Sequence, residues 1–135
     1  MRLIYVETSA AAKLFKEEPE SAALQAWLAS QGSALVLTSD LTRTELRRAM
    51  AAAKIGSDAR AEAERWLDDA ALIRLSPALC DQAGDLAPGT RLRSLDALHT
   101  AAGLRLMPAL VAFLAYDKRL ADAAEQAGLP VATPV

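Results

Sequence analysis

The sequence contains very few of the residues that cross-link small proteins or bind zinc. Cys80 is the one cysteine among 135 residues, and His99 is the one histidine. A lone cysteine excludes an internal disulfide, and a structural zinc site needs a cluster of Cys and His ligands that this sequence does not offer. A chain without disulfides fits a reducing compartment, so we expect a cytoplasmic protein.

The sequence also lacks a long apolar run and an excess of either charge. No segment approaches the roughly 18 apolar residues that a membrane span requires, and MRLIYV is too short for a signal peptide. Basic and acidic residues number 15 and 17, a net charge of -2. This balance argues against a broadly basic nucleic-acid binder but allows local basic patches. The length predicts a single domain, residues 1–135.

Apolar runs alternate along the chain with segments that favour helix. The predicted strands are residues 3–6, 34–38, 72–75, 109–116 and a short one near Val131. Helices are expected between them. Strands that alternate with helices predict a mostly parallel sheet covered on both faces, which is an α/β fold.

Four acidic residues stand where these elements meet: Glu7, Glu45, Asp96 and Asp117. Asp117 is a good helix N-cap, and Asp96 lies in the first turn of a helix that Ser94 would cap. Thr42 and Glu45 match a capping box. Glu7 differs, because Glu is a poor N-cap and an unpaired charge after a buried strand is costly. A functional role is therefore favoured for Glu7.

Taken together, the four acids predict a cation site. If the first and fourth strands are neighbours about 4.8 Å apart, Glu7 and Asp117 reach one cation, which Asp96 and Glu45 approach from helices. Carboxylates this close repel one another unless a divalent cation offsets their charge. Oxygen ligands favour Mg²⁺ or Mn²⁺ over zinc. Such a site suits phosphodiester hydrolysis by a metal-activated water.

Basic residues near the acids are candidates for binding the phosphates of a substrate. They are Arg43, Arg47, Arg48, Arg91, Arg93, Lys118 and Arg119. Solvated helix faces explain any one of them equally well. Aromatic residues make up only 4% of the chain, so base stacking should matter less than backbone and shape contacts.

Four segments resemble the acidic motifs of PIN-domain nucleases, most of all the VapC toxins of bacterial toxin-antitoxin pairs. The segments are YVETSAAAKLFKEEPES, RTELRRAM, RSLDALHTAAGLR and FLAYDKRLADAAEQAGLPV. They span nearly the whole chain in the family's order. The resemblance implies a three-layer α/β/α fold and a magnesium-dependent ribonuclease acting on structured RNA such as tRNA. It also implies a homodimer that a VapB-type antitoxin inhibits.

The family's four acids fall on Glu7, Glu45, Asp96 and Asp117. The resemblance assigns metal binding to Glu7, Asp96 and Asp117, with Glu45 completing the catalytic set. It also implies that Thr8 or Ser9 supplies a hydroxyl beside the first acid.

Two positions depart from the family's pattern. The first acid is usually Asp, and Glu7 carries its carboxylate about 1.5 Å farther out, which matters because Mg²⁺ tolerates little distortion. Ala115 stands where the family commonly has Thr or Ser, so one hydroxyl is missing. These departures predict weak activity. They also leave open an inactive PIN-like module that binds protein or RNA.

A phosphoacceptor signalling domain is a weaker rival. It needs an acid pair after the first strand and a lysine near the last, whereas the terminal GLPVATPV contains no lysine. His99 could contact substrate, although a lone histidine on an Ala-rich helix is more often satisfied structurally. The antitoxin hypothesis predicts an apolar groove for a partner helix near Leu14, Phe15, Trp27 and Leu28.

Overall fold

The computed structural model describes residues 1–135 as five strands and seven helices. The strands are β1 (Leu3–Val6), β2 (Leu35–Ser39), β3 (Ala71–Ile73), β4 (Leu110–Leu114) and β5 (Val131–Ala132). The helices are α1 (Thr8–Phe15), α2 (Ser21–Ala29), α3 (Asp40–Ala52), α4 (Ser57–Asp69), α5 (Pro77–Gly84), α6 (Ser94–Leu104) and α7 (Lys118–Gln126). None of these helices combines the length and the apolar character needed to cross a membrane.

The strands form one parallel sheet in the order β3-β2-β1-β4-β5. The predicted contact between the first and fourth strands is confirmed, because Val6 pairs with Leu114. The fourth strand is shorter than the predicted 109–116, since regular pairing ends at Leu114 and an extended segment leads on to α7. The parallel sheet between helical layers confirms the three-layer α/β/α fold.

The strand residues alternate between two apolar cores, one on each face of the sheet. Ile4 and Val6 of β1 pack with buried residues of α1, α2, α3 and α4. Leu3 and Tyr5 point the other way and pack with α5, α6 and α7. Successive side chains of a strand point to opposite faces, and both faces of this sheet are covered by helices. Every residue of β1 is therefore apolar.

Gly103 allows α6 to lie unusually close to β4. A Cβ atom at this position would stand 2.8 Å from the Phe113 ring and 2.9 Å from Leu129. The Phe113 ring in turn stacks on Tyr5, with centroids 5.0 Å apart and planes at 7°. The close approach therefore fixes α6 against the two central strands, and α6 carries Asp96 and His99.

The order of the sheet reverses between β1 and β4. The chain moves outward from β1 to β2 and β3, then crosses to the other side of β1 for β4 and β5. In open α/β sheets, ligands bind beyond the carboxyl ends of the strands at this point of reversal. Glu7 directly follows β1, and Asp117 follows β4, so the fold brings the first and fourth acids to the same rim.

Candidate active site

Glu7 lies at the end of β1 and serves as the N-cap of α1. Its backbone N–H donates to Leu114 O at 3.0 Å, and its Oε2 accepts from the Ser9 N–H at 3.0 Å and from the Ser9 hydroxyl. The expectation that a Glu would not cap here is wrong, because the side chain folds back onto the helix it precedes. Only 6% of Glu7 is exposed. Burial raises the pKa of its carboxyl, despite the opposing charge of His99 and the Ser9 hydrogen bonds.

Ser9 connects Glu7 to the segment that carries Asp117. Its Oγ donates to Glu7 and accepts from the backbone N–H groups of Tyr116 at 2.8 Å and Asp117 at 3.3 Å. One hydroxyl therefore fixes the first and fourth acids relative to each other. Thr8, the other hydroxyl expected beside the first acid, donates to a different carboxylate.

Glu45 is held by two hydrogen bonds, both at Oε1. Thr8 Oγ1 donates at 2.7 Å, and His99 Nε2 lies at 2.6 Å. Burial alone would raise the pKa of Glu45, but the hydrogen bond and charge of His99, with the Thr8 hydrogen bond, leave that pKa below its ordinary value. The structural alternative, a capping box of Thr42 and Glu45, does not form, since α3 begins at Asp40 and Glu45 lies inside the helix.

Asp96 occupies the first turn of α6. That helix begins at Ser94 after the N-cap Arg93, so the prediction that Ser94 caps it is wrong. Asp96 Oδ2 is buried without a hydrogen-bond partner, and Arg93 Nε at 3.9 Å is too far to donate. Burial raises the pKa of Asp96, and the negative charge of Asp117 raises it further, against the lowering effect of Arg93.

Asp117 caps α7, as its position in the sequence predicted. Its Oδ1 accepts from the Leu120 N–H at 3.1 Å. One oxygen of the side chain therefore caps the helix, and the negative charge of the carboxylate repels that of Asp96. Two residues earlier, Ala115 is fully buried in the core, so no hydroxyl supports Asp117 from that position.

The four acids lie at one rim without closing around a point. No three Asp, Glu, His or Cys side chains stand close enough to enclose a metal ion. The Asp96–Asp117 pair nevertheless has the chemistry of a cation ligand: hard oxygen atoms, mutual repulsion and a buried oxygen without a donor. The donor set therefore fits a hard divalent cation, with this pair at its core.

Several of the predicted phosphate-binding residues are engaged with carboxylates elsewhere. Arg43 pairs with Asp68 at 3.0 Å and Arg47 with Glu64 at 3.3 Å, so both lie against α4. Lys118 pairs with Asp122 at 3.2 Å on its own helix. Arg48 is exposed on α3. These ion pairs are on the surface and contribute little to stability, but they direct the side chains away from the rim.

Arg91 and Arg119 line an open groove of about 710 Å³ between the loop before α6 and helix α7. Thr100 also lines it, and its hydroxyl donates to the Asp96 backbone carbonyl at 2.8 Å. The charge of Arg119 reaches the Asp96 carboxyl and lowers its pKa, as that of Arg93 does. None of the four acids lines the groove, and Arg119 relates the groove to Asp96 through its charge.

A buried polar network beneath the acids was not predicted from the sequence. Tyr5 Oη lies 2.9 Å from Ser39 Oγ and 2.8 Å from His99 Nδ1. Thr38 Oγ1 donates to the Val6 carbonyl at 2.6 Å and lies 2.8 Å from Thr42 Oγ1. The one available signal was His99, placed one helical turn after Asp96. It is 1% exposed and its ring nitrogens are satisfied, in agreement with the structural interpretation.

Comparisons with known proteins agree on one family. The PIN domain model matches residues 4–126. Ribonuclease VapC47 of Mycobacterium tuberculosis (strain CDC 1551 / Oshkosh) is 37% identical over 98% of this chain and 97% of its own length. Ribonuclease VapC46 of strain ATCC 25618 / H37Rv is 38% identical over 99% of both chains. In fold, the chain is similar to the crystal structure of M. tuberculosis VapC20, a Sarcin-Ricin loop cleaving toxin. The TM-score is 0.76 at 20% identity, covering 97% of this chain and 99% of that one.

Proposed function

Because this chain belongs to the PIN-domain family and, within it, to the VapC ribonucleases, we propose that it is a magnesium-dependent endoribonuclease toxin. We propose further that it cleaves structured RNA in the cytoplasm. The observation that carries this proposal is the Asp96–Asp117 pair. Burial and the negative charge of Asp117 raise the pKa of Asp96, and the buried Oδ2 of Asp96 has no hydrogen-bond donor. Two carboxylates this close repel each other in the absence of a cation, and a bound cation would offset that repulsion.

In this proposal, Asp96 and Asp117 hold Mg²⁺ or Mn²⁺, and Glu7 joins them by turning from Ser9 toward the pair. When bound, the cation would activate water and offset the charge that develops on the phosphate. Glu45, ionised because its pKa is held low, accepts a hydrogen bond from the attacking water and orients it. Water adds to phosphorus and loses a proton to solvent, one ester P–O bond breaks, and the leaving ribose oxygen takes up a proton from solvent.

The RNA backbone is proposed to run along the groove beside Asp96. Arg91 and Arg119 line that groove and form no ion pair with a protein carboxylate within 4 Å. Arg93 Nε lies 3.9 Å from Asp96 Oδ2. A structured RNA fits this proposal because VapC20, which shares the fold, is described as cleaving the Sarcin-Ricin loop, and because few aromatic side chains are available for stacking on unpaired bases.

Removing the charge of Arg119 is expected to weaken RNA binding. The Arg119→Gln variant should raise KM several-fold, leave kcat nearly unchanged and reduce the salt slope of binding by about one. Arg43→Gln is the matched control, since Arg43 is paired with Asp68 on α4. Steady-state cleavage at several salt concentrations measures both. Equal effects of the two substitutions would remove the groove from the proposal.

One observation favours a second candidate, an inactive module that binds protein or RNA. The Glu7 carboxylate is committed to Ser9, and no three ligands converge in this structure. If Glu7 stays on its cap when a cation is offered, the ligand set is short by one oxygen donor.

Cleavage and metal binding together separate the two candidates. The purified protein should cut a folded RNA hairpin or tRNA with Mg²⁺ or Mn²⁺ and fail to cut with EDTA. Calorimetry should detect Mn²⁺ binding at millimolar concentration. Unchanged cleavage in EDTA would refute the metal-dependent mechanism. Absence of both cleavage and Mn²⁺ binding would establish the inactive module.

The partners that fit this proposal are a second copy of the chain and a VapB-type antitoxin. The apolar residues expected to form the antitoxin groove are all half-buried: Leu14, Phe15, Trp27 and Leu28. Phe15 packs edge-on against Trp66, with ring centroids 5.9 Å apart. Each side chain therefore keeps part of its surface for an amphipathic helix.

A further inference from the structure

A chain of buried hydrogen bonds joins the three elements that carry Glu7, Asp96 and Glu45. It begins at Ser39 Oγ, passes through Tyr5 Oη at 2.9 Å to His99 Nδ1 at 2.8 Å, and leaves His99 Nε2 for Glu45 Oε1 at 2.6 Å. Tyr5 is fully buried on β1 and His99 is 1% exposed on α6.

The proton positions in this chain follow from which atoms are able to donate. The Glu45 carboxylate, being ionised, only accepts, so the short contact to His99 requires a proton on Nε2. Nδ1 then forms its hydrogen bond with the Tyr5 hydroxyl, whose oxygen also contacts Ser39. Nε2 therefore carries a proton whether the Tyr5 hydroxyl donates to Ser39 or to Nδ1, and the contact with Tyr5 fixes the orientation of the imidazole from below.

The same chain determines which oxygen of Glu45 remains available. His99 and Thr8 both donate to Oε1, and neither Glu45 oxygen is among the buried atoms that lack a partner. No protein group donates to Oε2. Because Oε2 is not buried, it is open to water or a cation. The His99 ring on α6, the helix that carries Asp96, therefore sets the position of the Glu45 carboxylate on α3.

We infer that Tyr5 and His99 are positioning residues: they hold Glu45 by Oε1 so that Oε2 is presented to the catalytic water. This inference rests on the proposed ribonuclease function for its kinetic consequences, but its geometry is testable without activity. Outer hydrogen-bond partners of catalytic carboxylates and metal ligands affect metal affinity or turnover about 10- to 100-fold.

Two amide variants of His99 separate positioning from folding. Gln extends its amide nitrogen to about the place of Nε2 and can still donate to Glu45, whereas Asn matches Nδ1 and cannot. His99→Asn should lower kcat about 10- to 100-fold with little change in KM for RNA, while His99→Gln should retain most of the wild-type kcat. Tyr5→Phe should lower kcat by a smaller factor. Thermal unfolding is measured for every variant.

The control variant is Ser21→Ala. Ser21 is 1% exposed and bonds the Lys16 carbonyl and the Glu18 N–H at the start of α2, so its loss destabilises the fold without touching the chain of hydrogen bonds. Its kcat should stay at the wild-type value. His99→Asn and His99→Gln could instead lose kcat equally, in proportion to the fall in their unfolding temperatures. That result would overturn the inference and give His99 a purely structural role.

The single histidine provides a readout that does not depend on cleavage. The imidazole ¹⁵N and ¹H NMR signals of the protein belong to His99 alone, and they should show a proton on Nε2. Glu45→Gln should shift the Nε2 signal and Tyr5→Phe the Nδ1 signal. An Nε2 without a proton would refute the inference even in an active enzyme. If Nε2 carries the proton but the protein cuts no RNA, the inferred hydrogen-bond geometry stands and the proposed function is refuted.

Discussion

Replacing Asp117 by Asn is expected to reduce RNA cleavage by at least about 100-fold while the protein remains folded. Asp117 has two separable duties, because its Oδ1 caps α7 through the Leu120 N–H and its charge faces Asp96. Asn is as good an N-cap as Asp but carries no charge. The substitution therefore removes the proposed metal ligand and keeps the helix.

The matched variant Asp117→Ala removes both duties. It should be as inactive as Asp117→Asn and also less stable by about 1 kcal/mol, the usual value of an N-cap. Chemical denaturation and single-turnover cleavage measure the two effects separately. If Asp117→Asn cleaves RNA as well as the wild type, this residue is a cap and nothing more.

Asp96→Asn should lose cleavage to a similar extent with no loss of stability in the absence of metal. The folded-state pKa of Asp96 is raised by burial and by the charge of Asp117. A carboxyl with a raised pKa binds its proton more tightly in the folded state, so its ionisation destabilises the fold as pH rises through that interval. Asn avoids this cost. Loss of cleavage accompanied by unfolding would therefore contradict the assignment.

The fold was predictable because its signal is repeated. Each strand is a short apolar run, and each run is followed by a segment that favours helix, so an error of a few residues at Leu114 or Ala71 leaves the topology unchanged. The order of the strands and the rim occupied by the acids then follow from the rules for parallel sheets.

Side-chain duties at the rim were less predictable, because they depend on contacts between distant residues. Tyr5 and His99 meet where α6 packs on the sheet, yet each has an ordinary apolar or helical neighbourhood in the sequence. Thr42 looked like a helix cap, although it bonds inward to Thr38. Local patterns identify which residues are able to cap, but tertiary packing decides which of them do.

Shortening Glu7 to Asp is expected to raise metal-dependent cleavage about 10-fold or more. In this structure the long side chain curls back so that its Oε2 reaches the Ser9 backbone and hydroxyl. The shorter Asp is a preferred N-cap and makes the same type of bond without curling. Its second oxygen then lies nearer the rim, as in the family pattern that has Asp at this position.

The effect of Glu7→Asp on stability should be small. Removing one buried methylene costs about 0.8 kcal/mol, and the better cap offsets part of it, so the free energy of unfolding should change by less than about 1 kcal/mol. A large gain in cleavage without a gain in stability would therefore report on metal geometry. Mn²⁺ calorimetry of Glu7→Asp and the wild type provides the direct comparison.

Glu7→Gln isolates the role of the charge at this position, because it keeps the length and one acceptor for Ser9 while removing the charge. Burial raises the pKa of Glu7, so its ionised form opposes folding at neutral pH, and the neutral amide should be at least as stable as the wild type. Cleavage and Mn²⁺ affinity should both fall. Wild-type cleavage by Glu7→Gln, or unchanged cleavage by Glu7→Asp, would make the residue a helix cap that takes no part in catalysis.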